Sequence, residues 1–144
     1  MVPSPAPQRS APDPAVGPPT VLFVAASDAA VSPMAAALLA RRASGRVRAL
    51  SAGSAPAARV DPAAVAAMAE VGVDLAARLP RPLTADAVHV SAVVVRLGAV
   101  RGCPVLPGTR YLDWPVEEPA GGDARPVRDE LDRRVRGLLD ELVA

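Results

Sequence analysis

The stretch Thr20–Pro33, TVLFVAASDAAVSP, decides the fold. Its first six residues, Thr20–Ala25, are almost continuously apolar and rich in β-branched side chains. Such a run is typical of a strand that is buried on both faces in a parallel sheet. After a short linker, a serine followed by proline at Ser32-Pro33 predicts that a helix begins near Ser32, with the serine as its N-cap.

The rest of the chain repeats this alternation of strands and helices. Further strands are predicted at Val47–Ala52, Ala92–Val95 and Arg110–Trp114. Helices are predicted to begin at Asp61-Pro62 and at Thr84, and an apolar stripe with charges between its members predicts a closing amphipathic helix from Val127. We therefore expect one doubly wound α/β domain over residues 20–144, with a four-stranded parallel sheet flanked by helices.

The segment Met1–Pro19 differs from the rest, because it contains seven of the 17 prolines and has no apolar centre. We expect a disordered, extended, Pro-rich tail that acts as a flexible tether. A secretory signal and a specific SH3-type ligand are the less favoured interpretations.

Composition excludes several classes of function. The 16 basic residues are all arginine and are balanced by 15 acidic residues to a net charge of +1, without the surplus that nucleic-acid binding needs. Cys103 is the only cysteine and His89 the only histidine, so an ordinary Cys/His zinc site cannot form within the chain. No apolar run reaches the roughly 18 residues that cross a bilayer. We expect a cytoplasmic protein with no cofactor or metal, which binds neither nucleic acid nor a membrane.

The connection after the first strand is the candidate site, because ligands of open α/β sheets bind outside the carboxyl ends of the strands, where helix N-termini offer free amides. Its residues are Ala25, Ala26, Ser27, Asp28, Ala29, Ala30, Val31 and Ser32. They include no cysteine, no arginine and no glycine. The loop therefore has the position of an oxyanion site without the side chains that react with an anion or hold it.

Several blocks of the chain resemble, in order and spacing, the arsenate reductases of the low-molecular-weight protein tyrosine phosphatase family. The blocks are VLFVAASDAAVSPMAAALLA (Val21–Ala40), SAGS (Ser51–Ser54), DPAAVAAMAEVGVDL (Asp61–Leu75) and CPVLPGTRYLDW (Cys103–Trp114). The resemblance implies a loop of pattern C-x5-R-[S/T], in which the cysteine attacks the oxyanion, the arginine holds its oxygens and the hydroxyl helps to keep the thiolate charged. These positions are Ala25, Val31 and Ser32 here, so two of the three groups are absent.

The same resemblance assigns expectations to three further positions. Asp28 stands where the family commonly has asparagine, and we expect it to repel a bound anion and to neutralise the positive end of the helix. Ala30 stands where glycine is usual, which makes a left-handed conformation costly. The family's general acid is an aspartate before proline, and Glu118-Pro119 occupies the matching place. We favour a solvated acidic loop over proton transfer for Glu118, and local capping over catalysis for Ser27, Asp28 and Ser32.

Cys103 and His89 are interpreted as structural. Thioredoxin-coupled members of the family pass oxidation along by disulfide exchange, and Cys103 matches a cysteine of their C-P-x-x-P-G segment. A shuttle needs a second cysteine, which the chain lacks. We expect Cys103 to be a partly buried, unreactive thiol, and His89 to lie on the apolar side of a short helix.

Three functional hypotheses follow. The favoured one is a catalytically degenerate member of the family that acts as a binding or regulatory protein on an unidentified protein partner, with weak or no oxyanion binding. The alternative is a residual phosphatase or arsenate reductase that acts on a small oxyanion or phosphoester through Ser27, Ser32 or Glu118, although no base for either hydroxyl is evident. The third, a decayed paralogue with no dedicated role, cannot be separated from the first by composition.

Overall fold

The computed structural model describes residues 17–119 and 122–143, so the predicted tail lies almost wholly outside the described residues. The elements in chain order are β1 (Thr20–Ala25), α1 (Val31–Ala43), β2 (Arg48–Gly53), α2 (Pro62–Ala69), α3 (Ala85–His89), β3 (Val93–Leu97), β4 (Arg110–Trp114) and α4 (Arg125–Val143). Each strand and helix that the sequence predicts is present. None of the helices in the described ranges is long and apolar enough to span a membrane.

The four strands form one sheet in the order β2-β1-β3-β4, and all three pairings are parallel. All six residues of β1 are buried at the centre of this sheet, which explains the continuous apolar run. At its carboxyl end, β1 is in register with β2 through the pair Ala25 and Gly53. The predicted parallel sheet is therefore confirmed, and the candidate loop leaves from its carboxyl edge.

The two faces of the sheet are covered unequally. On one face, α1, α2 and α4 cover the sheet. Met34 of α1, Leu131 of α4 and Phe23 of β1 are fully buried in the cluster between them. On the other face, a smaller cluster that includes Leu22 is covered by Val88 of the five-residue helix α3. Helices on both faces confirm the doubly wound arrangement, and the thin cover of the second face leaves space beside β2.

Two of the three predicted helix caps are present. The Asp61 carboxylate accepts a hydrogen bond from the N–H of Ala63, and the Thr84 hydroxyl accepts one from the N–H of Ala87. The prediction that Ser32 caps α1 is wrong, because the helix begins at Val31 and its N-cap is Ala30, without a side-chain cap. Ser32 lies inside the first turn of the helix, and its hydroxyl donates to the Asp28 carboxylate at 2.7 Å.

An ion pair joins α1 to α4 and predicts a pH dependence of stability. Nε and Nη2 of Arg42 each donate to the Asp132 carboxylate at 2.7 Å, and chiefly this hydrogen bonding lowers the pKa of Asp132 below its ordinary value. A carboxyl whose pKa is lowered by folding contributes stability above its unfolded pKa of about 3.9 and loses it as the pH falls through the folded value.

We therefore expect Asp132→Asn to lower the free energy of unfolding at pH 7 by about 1 kcal/mol or less, because the pair is partly exposed to solvent. The difference from the unmodified protein should shrink in acid. Urea unfolding at neutral and acidic pH measures both quantities, with Asp140→Asn on the same helix as the control. A difference that does not change with pH would contradict the assignment.

Candidate functional site

The loop between β1 and α1 is held in place by hydrogen bonds that its carbonyl groups accept. The carbonyls of Ala25, Ala26, Ser27 and Ala29 accept hydrogen bonds from the N–H groups of Ser54, Ala55, Ala57 and Asp61, with N···O distances of 2.7–3.2 Å. The segment 54–61, which follows β2, therefore forms a backing for the loop. These four bonds fix the loop backbone beside the N-terminus of α1, where free amides and the helix dipole favour a negative charge.

Gly53 permits this backing because it leaves room for the loop. A Cβ atom added to Gly53 would lie 2.9 Å from the Ala26 carbonyl oxygen and 2.9 Å from the Asp28 nitrogen. Both neighbours are backbone atoms, so neither can move aside as a flexible side chain would. The glycine of the SAGS block is thus required by the close approach of the loop.

We expect Gly53→Ala to lower the free energy of unfolding by about 1–3 kcal/mol, because the methyl group overpacks a rigid contact. Gly137→Ala is the matched control, since a Cβ there meets nothing within 4 Å and lies inside α4, where alanine is the better helix former. Urea unfolding of both variants makes the comparison. A Gly53→Ala protein as stable as the unmodified one would show that the close approach is absent.

Asp28 is the buried anchor of the loop. Only 1% of its surface is exposed, and one carboxylate oxygen accepts from the Ser32 hydroxyl at 2.7 Å while the other accepts from the Arg81 N–H at 2.8 Å. The carboxylate thus contacts the first turn of α1 through the Ser32 side chain, and the expected neutralisation of the helix end by Asp28 stays a prediction. Asp28 also adopts the left-handed conformation at φ 49°, whereas Ala30 has φ −134°, so the strained position expected at Ala30 lies at Asp28.

Glu118 places a further carboxylate at the start of α1. One of its carboxylate oxygens accepts from the N–H of Val31 at 3.1 Å, and the other accepts from the Ser27 hydroxyl at 3.4 Å. Glu118 is exposed, in agreement with the expected solvated acidic loop, but the sequence did not predict these two contacts. The Glu118 carboxylate thus contacts the loop although Glu118 is 87 residues from Val31 along the chain.

The other loop residues offer little to a ligand. Ala25 and Ala30 are buried, Ala29 is half-buried and Ala26 is exposed, but none of them carries a functional group. The side chain of Val31 is 1% exposed and belongs to the main core, while its N–H faces Glu118. Ser32 is fully buried, so Ser27 carries the one accessible hydroxyl of residues 25–32.

None of the hydrogen bonds found among the described residues joins Cys103 or His89 to the loop. Cys103 packs against the smaller cluster on the second face, and burial raises the pKa of its thiol, which lowers the thiolate fraction at neutral pH. The predicted partial burial of Cys103 is confirmed. His89 is exposed, contrary to the expectation, because only Val88 of the short helix α3 is buried. Within the described residues, no group of three His, Cys, Asp or Glu side chains is arranged to hold a metal ion.

Comparison with known proteins agrees with the architecture. The family model for low molecular weight phosphotyrosine protein phosphatase matches residues 20–144. A Halobacterium salinarum protein named "Putative arsenate reductase" is 31% identical over 131 residues, which are 83% of this chain and 89% of the relative.

Solved structures show the same relationship. The thioredoxin-dependent arsenate reductase of Corynebacterium glutamicum has a TM-score of 0.80 at 35% identity, covering 88% of this chain and 62% of that chain. An arginine phosphatase of Geobacillus stearothermophilus has a TM-score of 0.71 at 25% identity, covering 87% and 93%. This chain thus spans less than two thirds of the Corynebacterium structure, although it spans most of the other two relatives.

Proposed function

The chain belongs to the low-molecular-weight phosphotyrosine protein phosphatase family, and we propose that it is a non-catalytic member that acts by binding a protein partner. The observation that carries this proposal is the contact of the Glu118 carboxylate with the N–H of Val31 at the start of α1. The chain's own negative charge lies where an oxyanion would need the helix amides.

The proposal agrees with the chemistry of the loop side chains. In the family pattern, a thiolate attacks the oxyanion and an arginine holds its oxygens, and the matching positions in this chain are Ala25 and Val31. Alanine has no lone pair with which to form a covalent intermediate. Val31 has its side chain in the core, so this position contributes to packing and supplies no cation.

Electrostatics at the loop disfavour an incoming anion. A phosphate or arsenate dianion that approaches the Val31 amide would meet the Glu118 carboxylate, which accepts from that amide at 3.1 Å. Two unit charges 4 Å apart repel each other by about 1 kcal/mol in bulk water and by about 4 kcal/mol near a protein surface. The loop therefore binds oxyanions weakly or not at all.

A residual enzyme would have to act through Ser27, Ser32 or Glu118, and neither serine is activated as a nucleophile. The Ser32 hydroxyl is inaccessible and donates to Asp28. The Ser27 hydroxyl is 3.4 Å from Glu118, at the outer limit of a hydrogen bond, so Glu118 is poorly placed to remove its proton. Neither hydroxyl has the close base that acyl or phosphoryl transfer to serine requires.

Turnover by the unmodified full chain tests the catalytic part of the proposal. We expect no hydrolysis of p-nitrophenyl phosphate and no thioredoxin-dependent reduction of arsenate above the rate without protein. The Ser27→Ala variant is the matched control for the accessible hydroxyl. Turnover that exceeds the background and is lost in Ser27→Ala would establish the residual enzyme instead.

Affinity purification from the native cell tests the partner. The tagged, folded chain should recover a protein in stoichiometric amount, and the same chain unfolded by heat should not. If neither bait recovers a protein above background, the partner part of the proposal fails while the non-catalytic part is unaffected.

A further inference from the structure

A cleft lies along the edge strand β2 and takes its lining from both faces of the sheet. Its volume is about 670 Å³, and it is bounded by β2, by the segment 74–82, and by residues of α1 and α3. The apolar side chains of its lining that are only half-buried include Ala37, Ala49, Leu50 and Ala87. Sites for small organic ligands occupy roughly 300–1,000 Å³ and are mostly apolar with a few polar groups, so both the size and the lining suit such a ligand.

Two arginines, Arg78 and Arg81, add positive charge to this lining. Arg78 is half-buried, and its Nη2 donates to the Ser51 hydroxyl at 3.4 Å. Among the ion pairs of the described residues, neither guanidinium has a carboxylate partner. Burial lowers the pKa of Arg78, the charge of Asp28 opposes this shift, and the charge of Arg81 adds to it by a smaller amount. Arg78 is therefore a partly desolvated cation that makes no direct contact with a carboxylate.

Two carboxylates lie near these arginines. Asp28 is buried behind them, and both of its oxygens are bonded to Ser32 and to the Arg81 N–H. Asp74 is exposed in the lining of the cleft and accepts from the N–H of Ala76 at 2.8 Å. Neither carboxylate forms an ion pair with the guanidiniums, so an external anion would add the direct contact that Asp28 and Asp74 do not make. A half-buried cation gains more from such a partner than an exposed one does.

We propose that this cleft binds a small organic anion, in which a phosphate or carboxylate group contacts Arg78 and Arg81 and an attached apolar group packs on the half-buried side chains of Leu50 and Ala87. Guanidinium groups suit both headgroups, because their planar forks match two oxygens at once. The lining includes none of the loop residues 25–32, although the Arg81 N–H donates to Asp28, and the proposal does not rest on the lack of catalysis.

Amide chemical shifts measured by NMR test the proposal with defined probes. We expect benzyl phosphate or 3-phenylpropionate to shift the amides around Ala52, Leu75 and Ala87 saturably, whereas benzyl alcohol and inorganic phosphate alone should bind more weakly. The comparison of the two organic anions shows which headgroup the cleft prefers. Shifts that are equally strong with benzyl alcohol, or an absence of shifts with both anions, would overturn the proposal.

Variants locate the headgroup. Arg78→Gln and Arg81→Gln should each weaken binding about tenfold, the effect typical of losing a charge-assisted hydrogen bond. Asp74→Asn should strengthen binding, and Arg136→Gln on α4, which is outside the lining of the cleft, should leave it unchanged. Arg81 is exposed, so its variant tests the headgroup even if Arg78→Gln fails to fold. Unchanged binding in Arg81→Gln would contradict the proposed cleft site and leave the proposed function unaffected. Chemical shifts confined to residues 27–31 would contradict the cleft site and also count against the proposed function.

Discussion

Phosphatase activity is expected to appear when four substitutions are combined: Ala25→Cys, Asp28→Asn, Val31→Arg and Glu118→Asp. The loop backbone is already held by four hydrogen bonds from the segment 54–61, and the N–H of Val31 already binds a carboxylate. The substitutions add the thiol and the guanidinium of the family pattern, and Glu118→Asp withdraws the competing carboxylate by one methylene. We expect p-nitrophenyl phosphate hydrolysis about a hundredfold or more above background, by analogy with the effect of one preorganised charge-stabilising group.

The matched control carries serine at position 25 and the other three substitutions. It retains the anion-binding groups but lacks the thiolate, so it should bind phosphate without turning over the ester. Thermal unfolding checks that the fold tolerates Val31→Arg, which removes an apolar side chain from the core. If the four-substitution variant is folded and inert, other parts of the site must also differ from those of active family members.

The second large effect is on stability, and we expect Asp28→Ala to lower the free energy of unfolding by about 2–4 kcal/mol. The substitution leaves the buried Ser32 hydroxyl without its acceptor, which costs about 1–3 kcal/mol, whereas the partly buried Arg81 N–H can bond to water instead. It also places alanine in the left-handed conformation at φ 49°, which adds about 1 kcal/mol. Urea unfolding measures the change.

Asp28→Asn is the matched control for this experiment. Its carbonyl oxygen accepts from Arg81, its amide donates to the Ser32 hydroxyl, and asparagine tolerates the left-handed conformation. We expect a loss of about 1 kcal/mol or less. Equal stability of the alanine variant and the unmodified protein would show that Asp28 does not anchor the loop.

The elements of the fold were predictable because their signals are local. The apolar run Thr20–Ala25 is explained by the central place of β1, and Asp61 and Thr84 cap their helices through amides two or three residues away. Ser32 carried the same signal and predicted the start of α1 to within one residue, but it does not cap the helix. Its hydroxyl donates to Asp28, which the left-handed turn at that residue brings into reach and which no local pattern predicts.

The contacts of the candidate site were less predictable because they join distant parts of the chain. The resemblance pointed to Glu118 as a general-acid position, but no local pattern indicates that its carboxylate bonds to the Val31 N–H, 87 residues away. Gly53 has an ordinary φ, so its role follows only from the loop packed against it. The sequence shows the SAGS block, but it does not show that the loop packs against the glycine of that block.

A crystal soaked in vanadate tests the central claim most directly, because a tetrahedral or five-coordinate vanadate ion is visible in the electron density at an occupied site. We predict that the loop residues 27–31 hold no vanadate and that the Glu118 carboxylate stays on the N–H of Val31. Vanadate seated over the loop amides, with Glu118 displaced, would contradict the account.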